Sequence, residues 1–196
     1  MKNTLLALAI SAAALALPMT SHAADAGGFF INGGIGQSDV DKDAYNDNET
    51  AGDVNIGYRW ALSPAAAIGL EGGYTSMGTF KPKGEFADLP NGKASGWNLG
   101  VNGHFNITPE WYLSGRVGGY FADIKGSYFP GGVTVNPAVP VYVSGNSTDY
   151  YAGAGFGYDF SNNFSIGVNY DYYKASKSGL TLDPYLVSVN AEFRFQ

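Results

Sequence analysis

The chain is 196 residues long, carries a formal charge of −6 and is rich in glycine (28), tyrosine (14) and phenylalanine (12). It has no cysteine, which excludes a disulfide framework, a thiolate nucleophile and a cysteine metal cluster. The acidic balance argues against a nucleic-acid partner, whose phosphates demand lysine and arginine, and the length suits one domain.

The first segment reads as an export signal. Lys2 gives a short basic start, Leu5 to Leu17 is an apolar run ended by Pro18, and Ser21-His22-Ala23 offers small residues where a signal peptidase cuts. The expected organisation is a signal peptide over 1–23 and one domain over 24–196. Losing Lys2 takes the formal charge from −6 to −7. Beyond this segment no apolar run is long enough for a spanning helix, so a membrane crossing has to be made by strands.

Strands are what the rest of the chain spells. Val54, Ile56, Tyr58 and Trp60 alternate with Asp53, Asn55, Gly57 and Arg59. Trp111, Leu113, Gly115, Val117, Gly119 and Phe121 alternate with Tyr112, Ser114, Arg116, Gly118 and Tyr120. Near the end, Tyr185, Val187, Val189, Ala191, Phe193 and Phe195 alternate with Leu186, Ser188, Asn190, Glu192 and Arg194. Period two puts the two sets on opposite faces of a sheet. One set is uncharged; the other is glycine-rich and hydrogen-bonding, as a crowded polar interior requires. Lipid outside and polar groups inside is the reading that fits.

The pattern predicts strands over 28–37, 51–61, 65–76, 94–106, 110–122, 149–160, 163–174 and 184–195. Most match the roughly 9–11 residues that a tilted strand needs to cross a bilayer. Leu62-Ser63-Pro64, Ile107-Thr108-Pro109 and Ser161-Asn162 are tight turns, whereas 38–50, 77–93, 123–148 and 175–183 are long polar connections. Short turns at one end and long loops at the other define an all-β, closed antiparallel eight-stranded transmembrane barrel, with both termini on the periplasmic, short-turn side. In the third long loop Val133, Val135, Val139, Val141 and Val143 flank Asn136-Pro137, which suggests a hairpin rising beyond the membrane.

Aromatic side chains sit where strands should meet the headgroups. Trp60, Phe105, Trp111, Phe160, Phe164, Phe193 and Phe195 mark the short-turn end; Tyr74, Trp97, Phe121, Tyr150 and Tyr172 mark the other. Eight strands leave an interior just wide enough for side chains. Strand parity sends Arg59, Glu71, His104, Arg116, Asp159, Asp171, Glu192 and Arg194 into it. Three arginines then face four carboxylates, and pairing is close to obligatory in so confined a space. This cluster is read as a structural plug, with a gate as the sharper alternative.

Catalysis finds little support. The only histidine after the signal segment, His104, lies two residues from a short turn with no serine partner in motif spacing, so no enzyme and no cofactor are expected. The first loop, Asp39 to Glu49, starts like a calcium loop, but Ala44 replaces the turn glycine and Thr50 the closing glutamate, so no metal site is assigned. Lys81, Lys83 and Lys93 in the second loop are candidates for lipopolysaccharide phosphates.

The architecture, the signal segment and the ending Val187-Ser188-Val189-Asn190-Ala191-Glu192-Phe193-Arg194-Phe195 resemble the small eight-stranded outer-membrane proteins of the OmpA transmembrane-domain and OmpX type. The resemblance implies recognition of Phe193 and Phe195 by the barrel assembly machinery, although Gln196 follows where the family stops at the aromatic. It also implies a Gram-negative outer-membrane location. The expected role is structural and surface-exposed: envelope integrity, with adhesion or contact with an extracellular ligand or host surface through the long loops. The runner-up is a small channel or an OmpW-like path for small or apolar solutes, against which the polar inward residues count.

Overall fold

The computed structural model describes residues 27–39, 48–81, 91–128, 141–177 and 180–195. Its strands in chain order are β1 (Gly28–Asp39), β2 (Glu49–Ser63), β3 (Ala66–Phe80), β4 (Gly92–Asn106), β5 (Trp111–Tyr128), β6 (Val141–Ser161), β7 (Phe164–Tyr173), β8 (Ala175–Lys177), β9 (Leu180–Leu182) and β10 (Tyr185–Phe195). Sequential antiparallel pairing from β1 to β7, then β10 against both β7 and β1, closes an eight-stranded barrel. The seam between β1 and β10 runs without a break from Phe29↔Phe195 to Asp39↔Tyr185. Closure leaves no sheet edge within the wall, the condition for a strand to sit in hydrocarbon.

Side-chain hydroxyls build the short turns. Ser161 Oγ accepts from the amides of Asn163 (3.3 Å) and Phe164 (3.1 Å). Thr108 Oγ1 accepts from those of Glu110 (3.3 Å) and Trp111 (3.0 Å). Each hydroxyl satisfies amides that the reversing backbone would otherwise leave bare.

β1 to β6 run further than period two alone suggested, chiefly at the long-connection end. β5 and β6 stay paired beyond Phe121↔Thr148 up to Tyr128↔Val141, while β4 leaves β5 at Lys93↔Lys125 and β7 leaves β6 at Tyr151↔Tyr173. The two strands therefore rise as a ribbon above the rest of the wall. Of the expected hairpin, Val141 and Val143 lie in the β6 arm of this ribbon; Val133, Val135, Asn136, Pro137 and Val139 lie outside the described residues, as do the signal segment, most of the acidic first loop, and Lys83. The segment after β7, expected as plain loop, forms the short hairpin β8–β9, and Ala175 at its start is fully buried.

The wall is sorted as lipid would sort it. Val54, Ile56, Leu70, Leu99, Val117, Phe156 and Val168 are exposed on the outside, and every charged residue of the expected interior set is buried. The largest buried side chains are Tyr120, Tyr151, Tyr173 and Phe80, so the core of this molecule is the lumen.

Candidate functional site: a filled lumen in two storeys

The lower storey is polar. Arg59 on β2 makes a two-pronged pair with Glu192 on β10, at 2.6 and 3.0 Å. Its Nε donates to Asn102 Oδ1 (2.6 Å), and Asn102 passes a hydrogen bond to Glu71 Oε2 (3.1 Å). Tyr151 donates its hydroxyl to the other Glu71 oxygen (2.8 Å). The Arg59 guanidinium also lies 4.1 Å above the Phe30 ring. Such forked, charge-assisted pairs fix geometry as well as charge.

Nearest the short turns, Arg194 pairs with Asp159 and approaches Glu192 at 3.6 Å. Asp159 accepts from Asn106 (2.7 Å) and lies 3.2 Å from His104 Nε2. The imidazole stacks on Tyr112 with centroids 4.2 Å apart.

Higher up, Arg116 on β5 donates through Nε to Asp171 Oδ1 (2.6 Å) and through Nη2 to Asp171 Oδ2. Its Nη1 reaches Asp53 at 3.4 Å. Asn55 bridges Asp53 (2.6 Å) and Asn32 (3.1 Å), and Asn98 donates to Asn55 (2.7 Å). All eight charged residues expected from parity are therefore inside, in three linked groups. Two details differ from the expectation. Glu71, at the same sequence depth as Arg116, bonds to the neutral donors Asn102 and Tyr151. Asp53 adds a fifth carboxylate to the four counted, because it too lies on the inward face of β2 and is buried. The relay of Asn32, Asn55 and Asn98, and Asn102 between Arg59 and Glu71, were also missed, although their signal was present in the same parity.

Space for Arg116 and Asp171 comes from glycine. Gly153 stands between them in the register, paired with both, and a Cβ there would collide with the Asp171 carboxylate. Between the ionic groups, bordered by Arg59, Glu71, Arg116, Asp171 and Glu192, a void of about 30 Å³ remains, room for about one or two waters.

The upper storey is apolar, which corrects the expectation of a wholly polar lumen. Tyr120, Tyr151 and Tyr173 pack with Met77, Phe80, Ile124, Leu186 and four alanines. Tyr120 meets Tyr173 edge-on at 4.9 Å, and Tyr151 stacks on Tyr173 at 5.8 Å. Phe80 joins them through an irregularity: the register slips between Ser76 and Thr79, at Gly78 with φ of 81°. Strict alternation would have turned Phe80 outward, whereas the slip puts both Met77 and Phe80 inside.

Outside, the expected aromatics form belts. At the short-turn end Trp111 stacks on Phe156 (5.0 Å), and Phe160, Phe164 and Phe193 follow in contact. Trp60 meets Tyr58 at 5.2 Å, and Phe105 and Phe195 are exposed at the same end. At the other end Tyr74 meets Trp97 (5.2 Å) and Tyr150 meets Tyr172 (6.1 Å), with Phe121 opposite Trp97. Phe29, Tyr58 and Tyr158 belong to the lower belt and were missing from the sequence set.

An apolar exterior between two aromatic belts around a closed barrel whose buried charges all face the lumen defines a transmembrane β-barrel of the outer-membrane class. Residues 4–195 match the family described as outer membrane protein beta-barrel domain, and the chain belongs to it. Among solved structures it is similar to Ail, the attachment invasion locus protein of Yersinia pestis (23% identity over 86% of this chain and 99% of that one, TM-score 0.57). It is also similar to OprG of Pseudomonas aeruginosa (13%, 88% and 98%, TM-score 0.51) and to Neisserial surface protein A (13%, 85% and 97%, TM-score 0.50). At these identities the likeness is one of fold. No curated protein matches the chain.

Proposed function

We propose that the protein is a non-enzymatic structural and surface barrel of the outer membrane, supporting the envelope and meeting an extracellular ligand or host surface through its long-connection end. The single observation that carries this reading is the filled lumen. Ion pairs close the lower half and packed aromatics the upper half, which leaves the β5–β6 ribbon as the part with work to do. In this reading 1–23 is the export signal, the termini and short turns are periplasmic, Phe193 and Phe195 address the barrel assembly machinery, and lipopolysaccharide is the outer-leaflet neighbour. Likeness in fold to an attachment and invasion protein, solved also with the heparin analogue sucrose octasulfate, agrees with a surface role. In this reading His104 is a buried structural residue, its ring 3.2 Å from Asp159 and stacked on Tyr112.

A second reading, passage of small or apolar solutes, draws on the apolar upper storey. Planar-bilayer recording of the refolded chain beside Arg116→Ala separates the two. Silence from both supports the plugged barrel, and discrete conductance altered in the variant moves transport into first place. Adhesion is tested by exchanging residues 126–143 for a short turn and measuring binding of cells to host matrix; unchanged binding overturns the ribbon's role. The lipid-facing assignment has its own test, because Val117→Arg at midplane depth should cost about 2–4 kcal/mol in bilayers.

A further inference from the structure

The basic residues are sorted by type. Arg59, Arg116 and Arg194 are all buried in the lumen. All lysines beyond Lys2, namely 42, 81, 83, 93, 125, 174 and 177, fall in or beside the long connections, and the three short turns contain no basic residue.

On one flank these lysines converge. Lys93 on β4 and Lys125 on β5 are direct cross-strand partners, exposed on the outer surface, and Lys81 follows the end of neighbouring β3, exposed as well. Thr79, on the same side, pairs with Lys93. Like charges set directly opposite one another destabilise a sheet unless something anionic lies between them. The carboxylate of Asp123 answers only weakly, 3.9 Å from Lys125 Nζ with both side chains more than half exposed.

Directly below, four residues down the same two strands, sits the Trp97↔Phe121 pair of the outer aromatic belt, with Tyr74 against Trp97. Four residues span about 13 Å along a strand, so the ammonium groups stand at headgroup height when the rings stand at the acyl boundary. The diametrically opposite flank, where β10 meets β1, carries Asp39 hydrogen-bonded by the Tyr185 hydroxyl at 2.7 Å. The rim is thus polarised across the barrel.

We propose that Lys93 and Lys125, with Lys81 beside them and the Tyr74–Trp97–Phe121 platform beneath, form a binding site for the phosphorylated sugar headgroup of an outer-leaflet glycolipid. The rings meet the acyl and sugar faces, and the lysines straddle a phosphate. The site rests on the outer-membrane reading above and specifies which flank the lipid prefers.

The test is native mass spectrometry of the refolded chain in detergent, with diphosphorylated lipid A or the same lipid after phosphatase treatment. Retention of the phosphorylated form should exceed that of the stripped form by about tenfold, two lysines at headgroup height supplying the difference. Lys93→Gln/Lys125→Gln should abolish that preference. Lys174→Gln/Lys177→Gln, an equal loss of charge on another flank, should keep it. Equal loss in both variants, or no dependence on phosphate, overturns the site. Each protein is first checked for the faster unheated gel band of a folded barrel. Failure of the parent chain to insert into lipid at all counts against the outer-membrane reading, whereas insertion without phosphate preference counts against this site alone.

Discussion

The two storeys of the lumen occupy the same barrel, face the same way and obey the same alternation, yet they are held by different physics. Below, position is dictated by direction: Arg59 reaches Glu192 and Asn102 at once, and a shift of one rung would strand both. Above, Tyr120, Tyr173, Phe80 and Ile124 hold each other by shape, as a water-soluble core does. The lower storey specifies register and the upper storey excludes water. A barrel built only from the first kind would leave polar paths between its pairs, and one built only from the second would have weaker protection against a two-residue slip.

The largest effect should come from breaking a pair while leaving one charge behind. Asp171→Leu removes the forked partner of Arg116 and leaves only the 3.4 Å contact to Asp53. Urea unfolding in lipid vesicles should show a loss of about 3–5 kcal/mol. Adding Arg116→Leu should recover much of it, since an apolar pair of similar size strands no charge. If the double variant is no better than the single one, the cost lies in packing and the two storeys do not differ as described.

In the upper storey Tyr173→Ala tests shape instead. It empties the space shared by Tyr120 and Tyr151 and drops the 3.2 Å contact to Thr75. The expected loss is about 3 kcal/mol, and here no second truncation should rescue it. Gly153→Ala comes next. Its methyl group would push on the Asp171 carboxylate, for a cost of about 1–3 kcal/mol from overpacking. Combined with Asp171→Leu the two costs should fail to add, because they act on one contact.

The fold was readable because a barrel in lipid repeats one rule on every strand. Parity alone placed Arg59, Glu71, Arg116, Asp171, Glu192 and Arg194, and the turn residues set where parity restarts. What escaped was of three kinds. Asp53 lay in plain view on the polar face of β2 but, with asparagine and glycine around it, was not counted among the charges. The partners could not be read, since depth along a strand ignores the stagger by which a closed barrel brings Arg116 to Asp171 and Asp53 rather than to Glu71. The upper storey was hidden by the irregularity at Gly78, which reverses the facing of Phe80, and by the rise of β5 and β6 above the membrane, where Ile124 still points inward but no hydrocarbon demands it.

The finest contrast lies between two tyrosines of the same layer. Tyr151 belongs to both storeys: its ring stacks on Tyr173 and its hydroxyl donates to Glu71 at 2.8 Å. Tyr120 is equally buried, but its hydroxyl has no hydrogen-bond partner among the described residues. Tyr151→Phe should therefore cost about 1–3 kcal/mol, because it leaves a Glu71 oxygen unsatisfied, whereas Tyr120→Phe removes a buried unpaired hydroxyl and should be neutral or stabilising by about 1 kcal/mol. Paired unfolding curves in the same vesicles measure both. Opposite signs locate the boundary between the storeys at the Tyr151 hydroxyl; equal losses would mean that Tyr120 is hydrogen-bonded, and that the polar network extends through the aromatic layer to the outer mouth.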